Sequence, residues 1–301
     1  CSPWRPAGVL GPLRSCTRRR AAEIVAYGRF VALAGVVSFL VVNVDDAVVV
    51  RQVGVEGLGL YARAYLLANL PVTALTHVVS RVAFAAYARL REQAEQVQRL
   101  YLRLARAVML LAAPAALGLV LLARPLSVGV FGPRWEGLVP LLPWLGVYGA
   151  ARAFLSGTGP LFNALGSPQS ILHVNLVQLP LLLAGLAWLV PWRGAEGACM
   201  AVLAAILLSA PLALRRVEQA SGLGPAALLA ALRPLAVPAA SMAAALLAAR
   251  AAWALGVGGY PLAEALVSGT AGTAAYAAVL WRRQRLLLVD AVDLLRGRGA
   301  P

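Results

Sequence analysis

Phe30 to Val50 reads FVALAGVVSFLVVNVDDAVVV, an apolar run carrying one polar cluster, Asn43-Val44-Asp45-Asp46, near its end. A bilayer's hydrocarbon core is about 30 Å thick and takes roughly 20 apolar residues to cross as a helix. The run is therefore long enough to span, and two adjacent carboxylates inside it are out of place. An ionisable group at membrane depth marks a functional candidate, because hydrocarbon does not solvate an unpaired charge. If the span starts near Ile24, twenty or so residues bring it only to Asn43, so the pair is expected near the outer boundary.

The rest of the chain agrees on the solvent. Of its 301 residues 61% are hydrophobic and 13% charged, and the mean hydropathy is +0.77. Soluble domains carry about 25% charged residues, so the expected fold is an all-α polytopic membrane protein. Eight spans are predicted, at about 25–49, 58–80, 101–123, 138–164, 169–191, 195–214, 234–254 and 261–281. A basic cytoplasmic connector is expected over 1–23, a helical lobe over 24–220, and two further helices with a basic tail over 221–301. Pro71 and Pro180 are expected to interrupt helices inside the bilayer.

Every basic residue is Arg, 27 in all. Nineteen fall on the leading tail and every second connection, against five on the other side: Arg51, Arg124, Arg134, Arg193 and Arg250. Short cytoplasmic loops are enriched in Lys and Arg, so both termini are placed in the cytoplasm and the chain in the cell membrane. Between Arg81 and Arg106, Leu90, Val97, Leu100, Tyr101 and Leu104 recur at helical spacing, with Arg99, Arg103 and Arg106 on another stripe. That pattern predicts an amphipathic segment over 81–100 at the cytoplasmic interface, suited to anionic lipid headgroups or to setting topology.

Several functions are excluded by the same residues. A net charge of +15 is distributed among hydrophobic segments and forms no clustered patch, which argues against nucleic acid. Three Cys and two His match no metal-ligand spacing, and the glycines from Gly54 to Gly59 are in the wrong order for a dinucleotide fingerprint. No cofactor, metal or catalytic residue is expected.

From Asn43 the sequence continues NVDDAVVVRQVGVEGLGLYARAYLLANLPV, and later VVSRVAFAAYARL. The order Asn43-x-Asp45, Arg51, Gly54, then Leu58-Gly59-x-Tyr61 with Ala64, Tyr65, Leu67 and Pro71 resembles the polysaccharide-biosynthesis branch of the multidrug/oligosaccharidyl-lipid/polysaccharide flippase superfamily. Phe131-Gly132-Pro133-Arg134-Trp135 and Ala164-Leu165-Gly166-Ser167-Pro168 resemble its external loop and a later cytoplasmic turn. Val50 and Ala85 depart from a glycine and a proline of the pattern, and Arg63 stands one turn before a usual basic position. The likeness covers most of 24–220 and fades in the alanine-rich C-terminal third.

The resemblance implies a flippase that moves polyprenyl-diphosphate-linked oligosaccharide by alternating access of two lobes, for cell-surface polysaccharide. On that reading the chain is the second lobe plus two terminal helices, and its beginning at Cys1 is expected to mark a fragment. It would then need an N-terminal lobe or a homodimer partner. Cargo of this kind needs cations for the diphosphate and polar groups for the sugars. Arg152, near the middle of the fourth span, and Arg63 are the cationic candidates; Asn163, Asn175 and Gln178, with His173 nearby, are the polar ones. Each has a structural alternative: Arg152 can pair with Asp45 or Asp46, Arg63 can snorkel, and the amides can bond helix to helix. Asp45 and Asp46 are ion-coupling candidates, although adjacent helical residues lie about 100° apart and both cannot serve one site equally. Rival readings are a peptidoglycan-precursor flippase, a drug/cation antiporter of the same superfamily, a membrane glycosyltransferase or polymerase, and a structural subunit of an export complex.

Overall fold

A computed structural model of the chain describes residues 18–256 and 260–283, the side chains of 18–28, 30, 31, 71, 72 and 74–82 excepted. The leading basic connector as far as residue 17, and the basic tail after Arg283, lie outside the described residues. The elements are α1 (Arg18–Gln52), α2 (Gly54–Leu90), α3 (Ala94–Leu121), α4 (Ala123–Phe131), a 3-10 turn (Pro133–Leu138), α5 (Leu141–Leu155), α6 (Thr158–Ala164), α7 (Gln169–Arg193), α8 (Ala195–Ser221), α9 (Pro225–Gly256) and α10 (Pro261–Arg283). No strand occurs among the described residues. The chain is an all-α, multi-pass membrane protein. Among the described residues five stretches are long and apolar enough to cross a bilayer alone: Ala32–Gln52, α3, α7, α8 and α9. α2, the α5–α6 pair and α10 pack alongside them.

Three departures from the expected spans have local causes. α1 and α2, of 35 and 37 residues, outrun the hydrocarbon core. They turn at one point, where Gly54 takes φ +89°, a conformation that a side chain resists. α2 and α7 both continue through Pro71 and Pro180. The helix that does break is the expected fourth span. It is interrupted at Ser156-Gly157, where the Ser156 N–H donates to Ala153 O at 3.1 Å. Pro160 has no N–H to return to Ser156 O, which is the bond that would have kept one helix there.

The segment 81–106 is not one continuous helix. α2 ends at Leu90, a turn passes through Arg91-Glu92-Gln93, and α3 starts at Ala94. Val97, Tyr101 and Leu104 are buried against Tyr87, Ala153, Leu161, Phe162 and Val217, while Arg99 and Arg103 remain exposed. Three residues of the expected amphipathic stripe are thus core, with Leu90 and Leu100 half-buried beside them, because α5 and α6 return over it.

The described residues form two further clusters. One joins Tyr61, Ala64 and Ala68 of α2 to Leu142 and Tyr148 of α5 and to α7 and α8. The other joins Leu110 and Leu122 to Leu235, Met242 and Leu246 of α9 and Tyr276 of α10. Small residues set the approach distances, as is usual where lipid offers no hydrophobic drive between helices. A Cβ on Gly149 would stand 2.7 Å from the Ala68 carbonyl oxygen, so α5 meets α2 backbone to backbone.

Candidate functional site

That close contact places one face of α2 against one face of α5. On α2, Tyr65, Asn69 and Thr73 follow at four-residue spacing; on α5, Tyr148 and Arg152 do the same. Arg152 is half-buried, and its Nη1 donates to Tyr65 Oη at 2.8 Å and, more weakly, to Asn69 Oδ1 at 3.4 Å. Tyr65 Oη lies 3.1 Å from Tyr148 Oη. Asn69 Nδ2 donates to the Tyr65 carbonyl at 2.8 Å, and Thr73 Oγ1 to the Asn69 carbonyl at 2.9 Å. The guanidinium is thus held by neutral oxygens. Among the described residues no carboxylate lies within 4.0 Å of it.

Arg152 opens onto a cavity of about 310 Å³ bounded by α2, α5, α6, α7 and α8. Its polar wall is Thr73, Ser156, Thr158, Asn175, Gln178 and Ser209, and its apolar wall includes Ile206 and Ala213. Among the described residues one cation and no acid line it. A site of one sign between low-dielectric walls concentrates its field and favours anions. The interruption at Ser156-Gly157 forms part of the rim, consistent with irregular backbone at membrane depth being tolerated where it borders a cavity.

The remaining expected site residues are distributed differently. Asn175 and Gln178 share the cavity with Arg152; Asn175 Nδ2 also donates to Ser38 Oγ at 2.6 Å, tying α7 to α1. Gln178 has no hydrogen-bond partner among the described residues and is half-buried. Asn163 is exposed at the end of α6 and does not line the cavity, and His173 is exposed with Nδ1 2.7 Å from Gln169 O. Arg63 is exposed on α2, away from the cavity.

The carboxylate pair splits. Asp45 is buried at 2% exposure, while Asp46 is exposed. Asp45 Oδ2 accepts a hydrogen bond from the Tyr61 hydroxyl, and Oδ1 has no partner among the described residues. Its partner is therefore neither Arg152 nor Arg63. Tyr61 and Tyr65 rings lie 6.0 Å apart and Tyr65 and Tyr148 rings 5.7 Å, so an aromatic row runs from Asp45 to the cavity cation. Among the described residues no three His, Cys, Asp or Glu side chains converge as metal ligands.

The sequence reading did not find Asn69, Thr73, Tyr148, Ser156, Thr158 or Ser209. A signal existed for three of them: Asn69 and Thr73 follow Tyr65 at helical spacing, and Tyr148 precedes Arg152 by one turn. Ser156, Thr158 and Ser209 carry no such mark.

Residues 2–140 match the family model described as polysaccharide biosynthesis protein. That stretch holds Asp45, Tyr61, Tyr65 and Asn69 and ends before α5. Over 163 residues the chain is 28% identical to the teichuronic acid biosynthesis protein TuaB of Bacillus subtilis (strain 168), covering 54% of this chain and 32% of the relative. Over 143 residues it is 28% identical to the lipopolysaccharide biosynthesis protein WzxC of Escherichia coli (strain K12), covering 48% and 29%. Over 170 residues it is 25% identical to the amylovoran biosynthesis protein AmsL of Erwinia amylovora, covering 56% and 44%. The chain spans less than half the length of the curated relatives it matches.

Proposed function

We propose, on the premise that the chain is a polysaccharide-biosynthesis membrane protein of the flippase-like family, that it translocates polyprenyl-diphosphate-linked oligosaccharide across the cell membrane. The observation that carries this is Arg152: a cation held by neutral oxygens at a cavity that no acid lines among the described residues, the electrostatic arrangement a diphosphate needs. At about 310 Å³ the cavity stands at the lower end of small-molecule pockets, roughly 300–1,000 Å³, and suits a headgroup while the lipid tail stays in the bilayer. Asn175, Gln178 and Ser209 offer hydrogen bonds to phosphate or sugar oxygens.

The other roles follow as parts of this reading. Asp45, buried on Tyr61, is the ion-coupling group, with Asp46 beside it on the exposed face. Arg63, exposed with Asn43 and Asp46 on neighbouring helices, belongs to a surface meant for a cleft or a second lobe, because lipid would not solvate those groups. An N-terminal lobe or a second copy supplies that face. Arg99 and Arg103 meet anionic lipid headgroups at the cytoplasmic side, where both termini lie.

The test is binding and transport by the full chain in lipid. A polyprenyl-diphosphate oligosaccharide should bind in nanodiscs, and Arg152→Ala should weaken it about 10- to 100-fold, as expected for a lost charged hydrogen bond of roughly 1.5–3 kcal/mol. Equal affinity in that variant would remove Arg152 from the site. In vesicles, Asp45→Asn should make lipid flipping indifferent to an imposed proton or sodium gradient. Flux that still follows the gradient would exclude Asp45 as the coupling group.

A further inference from the structure

Two prolines interrupt the backbone bonding of the α3–α4 region, and side chains from the far end of the chain supply what they lack. In an α-helix the N–H of each residue bonds the carbonyl four residues earlier. Pro114 therefore leaves Leu110 O without its helical donor, and Pro125 leaves Leu121 O without one. The Tyr276 hydroxyl on α10 donates to Leu110 O at 2.9 Å in a buried position. Arg250 Nη1 on α9 donates to Leu121 O, and Arg250 Nε also meets Glu264 Oε1 on α10 at 3.2 Å. A third link runs the other way, from Arg106 Nε on α3 to Ala231 O on α9 at 3.0 Å.

We propose that α9–α10 is a brace that docks on α3–α4 through the two proline-vacated carbonyls, with Tyr276 and Arg250 as its positioning residues. The logic is that of the bilayer. With no water to take it, a free Leu110 carbonyl at membrane depth is costly, and a neighbour that brings donors to Leu110 O and, nearer the outer boundary, to Leu121 O completes the helix that Pro114 and Pro125 leave open. The apolar packing of Leu235, Met242 and Leu246 against Leu110 and Leu122 supplies adhesion, and the two hydrogen bonds set register.

The brace bears on the cavity through α3. Its opposite face supports α5 and α6: a Cβ on Gly146 would reach within 3.2 Å of Ala116 O, and one on Gly157 within 3.3 Å of the Tyr101 ring. α3, α4, α9 and α10 thus form a fixed body behind the wall that carries Arg152 and the Ser156-Gly157 interruption.

The experiment is a double-mutant cycle on the full chain in nanodiscs, reading thermal unfolding and hydrogen exchange of the α3 amides after residue 110. Tyr276→Phe removes only the donor and should raise exchange by roughly 3- to 10-fold, the range expected for one membrane hydrogen bond. Pro114→Ala restores a backbone N–H to Leu110 O. In that background Tyr276→Phe should lose most of its effect, whether the single variant merely exchanges faster or fails to fold. A parallel cycle pairs Arg250→Met with Pro125→Ala. If Tyr276→Phe costs as much in the Pro114→Ala background as in the natural chain, or costs nothing in the natural chain, the hydroxyl is not completing the carbonyl and the brace is overturned.

Discussion

The kinked α3–α4 region and the interrupted α5–α6 pair carry the same lesion and resolve it in opposite ways. In the first, Leu110 O and Leu121 O lose their helical donors to prolines and regain donors from Tyr276 and Arg250. In the second, Pro160 leaves Ser156 O without its helical donor, and no side chain among the described residues replaces it. Ser156 and Thr158 turn their hydroxyls back to Ala153 O and Leu155 O instead. Leu110 O is enclosed by apolar helices and Leu121 O is capped by the Arg250–Glu264 pair; Ser156 O belongs to the rim of a polar cavity. Proline therefore does not by itself mark a flexible point in a membrane helix. It marks a vacancy, and the neighbours decide whether that becomes a fixed bend or a place free to rearrange.

Separating α5 from α2 dismantles the open site and leaves the braced one alone. Gly149→Leu forces a branched side chain where a Cβ already stands 2.7 Å from Ala68 O. Overpacking of this kind costs about 1–3 kcal/mol and more against backbone. We expect a large fall in melting temperature and loss of ligand binding, with α3–α10 exchange protection retained in whatever protein remains folded. A stable, binding-competent Gly149→Leu protein would contradict the close α2–α5 contact.

A smaller and more discriminating pair substitutes the prolines themselves. Pro160→Ala gives Ser156 O a donor and should raise stability by about 1 kcal/mol, while slowing ligand turnover because the rim straightens. Pro114→Ala, made in the braced region, should change stability by less than half as much, roughly 0.5 kcal/mol or below, because Leu110 O is already satisfied. Thermal unfolding in detergent measures both. Equal gains from the two would mean that the vacancies are equivalent and that the contrast drawn from Tyr276 has no energetic content.

Much of this was legible in the chain and some of it was not. The hydrophobic runs, their punctuation and the arginine bias come from local composition, so they announce a multi-pass helical membrane protein without reference to tertiary contacts. Arg152 was detectable because a lone cation deep in an apolar stretch is expensive wherever it points. Its surroundings were not: Tyr65 and Asn69 stand 87 and 83 residues away in sequence. What the apolar stripe from Leu90 to Leu104 packs against was hidden for a related reason. An amphipathic stripe states that one face prefers an apolar environment, and lipid and protein satisfy that preference alike.

The Asp45-Asp46 pair shows where the boundary lies. From the sequence, adjacent carboxylates on a helix face different directions, so at most one occupies any given site; that follows from the 100° step alone. Which one turns inward, and onto what, was decided by the packing of α2 against α1, which buries Asp45 on Tyr61 and leaves Asp46 exposed. Residue type and spacing alone fix the solvent, the helical character and the carbonyls that prolines leave without donors. Tertiary structure decided which vacancies are filled, which acid is buried and which polar groups surround Arg152. Those depend on donors brought from distant segments, such as Tyr276 to Leu110 across 166 residues, and no local pattern encodes where a remote side chain will arrive.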